Sequence, residues 1–71
     1  MIKRDLICVD IFSSNLKGTD YEISVFLDEI TLNTYYGSNL RDIEVGKKYK
    51  CELSYNPKKK NNRIVVNKIM E

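Results

Sequence analysis

The sequence predicts an all-β fold in which five short strands close into one small barrel over residues 1–71. Two observations carry this prediction. Apolar and polar residues alternate with a period of two in several separate segments, and turn-forming residues stand between those segments. In addition, no stretch of about ten residues keeps the apolar period of 3.6 that an amphipathic helix needs, so we expect no long helix.

Each strand is predicted from its own pattern. The second strand alternates most regularly, and its apolar row predicts an inward face that includes Tyr21 and Val25, with Phe26 on the opposite, polar face. Residues 40–44 predict a single helical turn capped by Ser38 or Asn39. The five predicted strands cover residues 2–12, 21–30, 31–36, 48–55 and 63–70.

Five strands in a chain of this length suit a closed barrel, because closure removes exposed strand edges. Residues 40–53 (LRDIEVGKKYKCEL) resemble the approach to strand four in OB-fold proteins of the cold-shock type, where a hydrophobic-Gly-Lys turn precedes an alternating strand. Residues 63–69 (RIVVNKI) resemble their final strand. The resemblance implies an OB-fold, with an SH3-like barrel as the alternative. The RNA-binding aromatic motifs of that family are not reproduced.

The positive charge is concentrated in the C-terminal third of the chain. Residues 1–46 carry four basic and eight acidic side chains, a net charge of −4, whereas residues 47–71 carry eight basic and two acidic ones, a net charge of +6. Clustered lysines release counterions from phosphates and so bind nucleic acid without reading its sequence. The alternative is a turn whose lysines serve solubility alone. The candidate nucleic-acid-binding cations are Lys48, Lys50, Lys58, Lys59, Lys60 and Arg63.

Binding of single strands also requires aromatic side chains on which bases stack. Phe26, Tyr35 and Tyr36 are the candidates, together with Phe12. Adjacent strand residues point to opposite faces, so at most one of the two neighbouring tyrosines is free to stack. For Phe26, burial under a loop or contact with another protein is the alternative to stacking.

Catalytic and cofactor chemistry is not expected. The chain has no histidine and no C-x-x-C motif, and we interpret Cys8 and Cys51 as two buried thiols rather than a disulfide or a metal pair. The acidic pair Asp28-Glu29 and the segment 42–44 are interpreted as solvated charge. We therefore predict a protein that is not an enzyme, with no cofactor and no metal. No signal-peptide pattern or membrane-length apolar run is present, which predicts a cytoplasmic protein with no membrane partner.

Two functions from different classes remain open. The first is binding of single-stranded DNA or RNA through the basic hairpin of strands four and five. The Asn, Lys and Ile content is typical of AT-rich genomes and suggests a replication accessory of a phage or mobile element. The second is a protein-interaction module, either an adaptor subunit or an inhibitor of a host or phage enzyme, because a charge dipole also steers protein partners. A homo-oligomer is compatible with either.

Overall fold

The computed structural model describes residues 2–58 and 64–70, which form five strands. The all-β prediction is confirmed. The predicted helical turn at residues 40–44 is wrong, because this segment forms irregular bends in which Leu40 and Ile43 pack against the core. Within the described ranges there is no helix long and apolar enough to cross a membrane. The strands are β1 (Ile2–Leu16), β2 (Thr19–Leu27), β3 (Thr34–Ser38), β4 (Lys48–Tyr55) and β5 (Ile64–Met70).

The strands form a closed ring of hydrogen-bonded neighbours in the order β1-β2-β3-β5-β4, a small barrel-like arrangement. The β3–β5 pair is parallel and the other four pairs are antiparallel. Strand β1 is long because it serves two neighbours: residues 2–7 pair with β4 and residues 7–16 pair with β2. The ring therefore closes through β1.

The strands are strongly staggered around the ring. A path that steps from each residue to its partner on the next strand leaves β1 at Ile2 and returns to the same strand at Ile11, nine residues further along. Such a stagger tilts the strands against the axis of a closed sheet. The path runs through Ile2, Leu53, Val66, Gly37, Ser24 and Ile11.

Local sequence explains the two sharpest features of β1. It ends in a two-residue hairpin whose central residues, Lys17 and Gly18, both have positive φ (52° and 79°), as such tight hairpins require. A β-bulge lies between Cys8 and Asp10, where the register against β2 shifts. The bulge changes which residues point inward: Leu6 and Cys8 are buried before it, and Ile11 packs against the core after it.

The interior of the ring is filled by a small apolar core to which β1, β2, β4 and β5 contribute. At its centre the ring of Phe26 meets that of Tyr49 edge to face, with centroids 6.4 Å apart. Leu40 packs against Gly37 on the core side of β3, where an added Cβ atom would lie only 2.5 Å from Leu40 Cδ1. The fully buried apolar residues are Leu6, Cys8, Phe26, Cys51, Leu53 and Val66.

Candidate nucleic-acid interface

The face of strand β2 that points into the ring is the opposite of the one that the sequence predicted. Ser24 and Phe26 are 0 % exposed and Asp28 is 5 % exposed, so this row is inside the ring. The more apolar row, which includes Ile23 and Val25, is half-buried and faces outward. The prediction that Phe26 stands on a polar face and is available for base stacking is therefore wrong, because both faces of its ring are enclosed by the core.

The outward row of β2 continues onto the neighbouring strands. Phe12 of β1 stands opposite Ile23, and Tyr36 of β3 stands opposite Val25. Tyr36 in turn pairs with Val65 of β5. We call this surface the aromatic face and define it by Phe12, Tyr21, Ile23, Val25, Tyr36 and Val65.

The two adjacent tyrosines of β3 are divided between the inside and the outside of the ring. Tyr35 stands opposite the buried Phe26 and packs against the core, whereas Tyr36 stands opposite the outward Val25. The prediction that only one of them is free to stack is consistent with this placement, and Tyr36 is that residue. Phe12 is 43 % exposed and supplies a second accessible ring on the aromatic face.

Few charges lie on the aromatic face. Among the described residues of its cross-strand rows, Asp10 is the only one with a charge, and its Oδ1 atom accepts the N–H of Ile11 at 2.9 Å. A cation lies at its margin instead. Lys17 occupies the β1–β2 turn. On another side of the face, β5 begins at Ile64, and the next residue, Val65, is the partner of Tyr36.

The lysine-rich segment between β4 and β5 is described only in part. Lys58 is exposed, and its N–H donates to Asn56 Oδ1 at 3.1 Å. Lys59, Lys60 and Arg63 lie outside the described residues. Their predicted role therefore stays a prediction.

The structure separates Lys48 and Lys50 from the lysine-rich segment. Both are exposed near the start of β4, whereas the segment follows Tyr55 at its end, about 23 Å from Lys48 and about 17 Å from Lys50 at 3.3 Å per strand residue. Strand β4 is also not a neighbour of β2 or β3, so these lysines do not border Tyr36. Lys48 Nζ already contacts Glu29 Oε1 at 3.1 Å. The predicted roles of Lys48 and Lys50 in nucleic-acid binding stay predictions.

Arg41, which the sequence analysis did not single out, lies with Lys48 and Lys50 around a groove of about 380 Å³. The groove is bounded by the β3–β4 loop, the start of β4 and the end of β5.

The sequence analysis also did not place Phe12 and Tyr21 on the same surface. The register shift at the β1 bulge decides that placement, and neither composition nor alternation reports it.

Asp28 supports the β2–β3 loop. Its Oδ1 atom accepts the N–H of Ile30 at 2.9 Å and the N–H of Thr31 at 3.3 Å, and its backbone carbonyl accepts the N–H of Leu32 at 2.7 Å. The Ile30 hydrogen bond is the largest of the influences that hold the pKa of Asp28 below its ordinary value, against the opposing effect of burial. Among the described residues, no group of three or more side chains is arranged to hold a metal ion.

Cys8 and Cys51 are free and fully buried, which confirms the interpretation as buried thiols. Burial raises the pKa of Cys51 to about 11, with further contributions from Asp5 and Cys8. Burial also raises the pKa of Cys8. A thiol is a nucleophile only as its thiolate, so neither sulfur is poised for chemistry at neutral pH.

Comparison with protein-family models, curated proteins and solved structures finds no match to this chain. Function must therefore be argued from the chemistry of its surfaces rather than from relatives.

Proposed function

We propose that this chain is an OB-fold that binds single-stranded DNA or RNA without catalysing a reaction. A five-stranded closed ring with a long, bent first strand and a loop between β3 and β4 supports the OB-fold over the SH3-like alternative. OB-folds commonly hold oligonucleotides on the surface of strands two and three, between the loops that follow strands one and four. The aromatic face occupies this position.

The single observation that carries the proposal is the outward placement of aromatic and apolar side chains on β1, β2 and β3. A strand face that meets solvent is ordinarily polar. Here Phe12, Ile23 and Tyr36 lie on one continuous surface instead. Bases stack on exposed aromatic rings at roughly 1–3 kcal/mol each, and every base has a π-face, so such a platform binds single strands with little regard to sequence.

The phosphates of a strand on this platform would meet cations at its margins. Lys17 lies beyond Tyr21 at one end. In the sequence, the lysine-rich segment with Lys58, Lys59 and Lys60 precedes β5, whose second residue, Val65, is the partner of Tyr36. Lysine–phosphate contacts give salt-sensitive affinity, with a slope of roughly −0.7 per contact in a log–log plot for single strands. The protein acts by binding alone and uses no cofactor.

Fluorescence polarisation with a labelled single-stranded oligonucleotide tests this function. We expect saturable binding at low salt that weakens as salt rises. Lys58→Glu should reduce the affinity and the salt slope, since it reverses one charge of the lysine-rich segment. The matched control is Lys3→Glu, which alters an exposed cation on the β1–β4 side of the ring. Absence of binding at low salt, or equal effects of the two variants, would refute the proposal.

A protein-interaction module is the second candidate function, and the β2–β3 loop favours it. Ile30 and Leu32 are 93 % and 72 % exposed, although Asp28 fixes the backbone that carries them. Two aliphatic side chains on a constrained loop suit an apolar pocket of an adaptor's target or an inhibited enzyme. A purification from the native host with and without nuclease distinguishes the two candidates: a partner that survives nuclease and is lost in Ile30→Ser favours this one.

A further inference from the structure

The groove beside Arg41 has the composition of an anion receptor with an apolar floor. Its floor is formed by half-buried side chains, Ile43, Tyr49 and Ile69, and its rim carries Arg41 and Lys50. Its volume of about 380 Å³ falls within the range of small-ligand sites, roughly 300–1,000 Å³. The groove is separate from the aromatic face, because its β5 residues, Ile69 and Met70, lie four and five residues beyond Val65, about 13–17 Å along the strand.

The cations of the groove differ in what they already bind. Lys48 contacts Glu29 at 3.1 Å, and the neighbouring Lys47 is held by Glu44. In contrast, Arg41 and Lys50 form no ion pair with any acidic side chain in the described part of the chain. Two cations on one rim without a carboxylate partner leave their charge available to an external anion. A guanidinium also offers paired donors that match the oxygens of a phosphate.

Tyr49 contributes a further donor. Its hydroxyl oxygen accepts the N–H of Glu44 at 2.9 Å, which fixes the position of the oxygen and leaves the hydroxyl hydrogen to be donated. Its ring is held edge to face against Phe26, so the hydroxyl is placed by the core rather than by solvent. Asp42 is the one acidic residue among those that line the groove, and its backbone is in the left-handed region with φ of 58°.

We propose that this groove binds a phosphate group of a nucleotide, with Arg41 and Lys50 as the charge partners and the Tyr49 hydroxyl as a neutral donor. The apolar floor would accept the sugar or base that accompanies the phosphate. The same chemistry is presented by a free mononucleotide and by a phosphate of a strand that extends around the ring from the aromatic face. All residues of this site lie in the groove, so binding there does not depend on the aromatic face.

Amide chemical shifts of the folded protein test the site with two probes, thymidine 5′-monophosphate and a short oligothymidylate. We expect saturable shifts in residues 41–50 and 69–70 with at least one probe, and the probe that produces them identifies the source of the phosphate. Arg41→Gln and Lys50→Gln should each weaken that binding about tenfold, as the loss of one charge-assisted hydrogen bond does. Lys3→Gln removes the same charge from a different depression, bounded by Arg4 and Asp28, and should leave the affinity unchanged.

The outcomes separate this site from the aromatic face. Groove shifts that persist in Tyr36→Ala and need about tenfold more probe in Arg41→Gln support the site whether or not the aromatic face binds strands. Oligonucleotide shifts confined to the aromatic face, with none in the groove for either probe, overturn the site and leave the proposed function standing. Equal weakening by Lys3→Gln and Arg41→Gln also overturns it, because nonspecific attraction to a cation would then account for the binding. Unchanged amide spectra of the free variants verify that each one is folded.

Discussion

The inward placement of Phe26 and the outward placement of Val25 give a matched pair of adjacent substitutions on β2. Phe26 is fully buried and packs edge to face on Tyr49, whereas Val25 is half-buried on the outer surface. Truncating a buried phenylalanine to alanine costs roughly 3–5 kcal/mol, because apolar contacts are lost and a cavity remains. A chain of this length has a total stability of roughly 4–11 kcal/mol at 0.05–0.15 kcal/mol per residue. Phe26→Ala should therefore remove between about a quarter and all of the stability.

Val25→Ala should cost about 1 kcal/mol or less, since an outward strand position loses only partial burial and some β-propensity. Urea unfolding followed by circular dichroism measures both variants against the unchanged chain. Phe26→Leu is included because it keeps most of the apolar volume and stays folded if Phe26→Ala does not. A larger loss for Val25→Ala than for Phe26→Leu would refute the placement of β2, and with it the existence of an outward aromatic face.

Three further predictions concern positions inside or at the ends of the ring. Gly37→Ala should destabilise the fold by about 1–3 kcal/mol, because the new Cβ atom would lie 2.5 Å from Leu40 Cδ1. Adding Leu40→Ala to the same chain should recover part of this loss, as measured by urea unfolding. Losses that are strictly additive in the double variant would contradict the contact. Ser24→Ala should raise the urea midpoint, since the Ser24 hydroxyl is buried without a hydrogen-bond partner among the described residues, and a lowered midpoint would reveal a partner. The pKa of Asp28 is lowered in the folded state, so its ionised form contributes stability above pH 4 that is lost as the pH falls through the folded pKa. Asp28→Asn should therefore make the free energy of unfolding depend less on pH in the acid range. An acid range identical to that of the unchanged chain would contradict the role of the carboxylate.

The strands were predictable because alternation and turn residues are local properties. Strand β4 has the bounds that its strict alternation predicted, and the turn at Lys17-Gly18 ends β1 as its residues suggest. The other bounds differ by a few residues. The first strand is longer than predicted because residues 13–16, whose Ser-Ser-Asn composition suggests a turn, pair with residues 19–22 of β2 across the tight hairpin.

The inside and outside of β2 were not predictable in the same way. A period of two defines two faces but does not say which one is buried. That choice depends on partners: Phe26 is opposite Cys8, which the bulge in β1 keeps inward with Leu6. The same limit applies to the predicted stacking residues. Alternation correctly divided Tyr35 from Tyr36, but it assigned Phe26 to the wrong face.

Which basic residues lie close together depends on the positions of the strands and loops that carry them, not on their separation in the sequence. Lys50 lies five residues before Tyr55, the last residue of β4, and the extended strand places these two about 17 Å apart, with Lys58 in the turn beyond. Arg41 joins Lys50 only because the β3–β4 loop packs over the end of the ring, where Ile43 meets the core. No sequence pattern brings these two residues together.

The chain contains no tryptophan, so a single introduced indole reports on one surface alone. The most direct test of the aromatic face is the fluorescence of Tyr36→Trp during titration with a single-stranded oligonucleotide, compared with Ile30→Trp on the exposed β2–β3 loop. A base that stacks on the indole quenches it, so we expect saturable quenching at position 36 and little change at position 30. Oligonucleotide binding that leaves the indole at position 36 unquenched, or quenches both positions alike, would contradict the account.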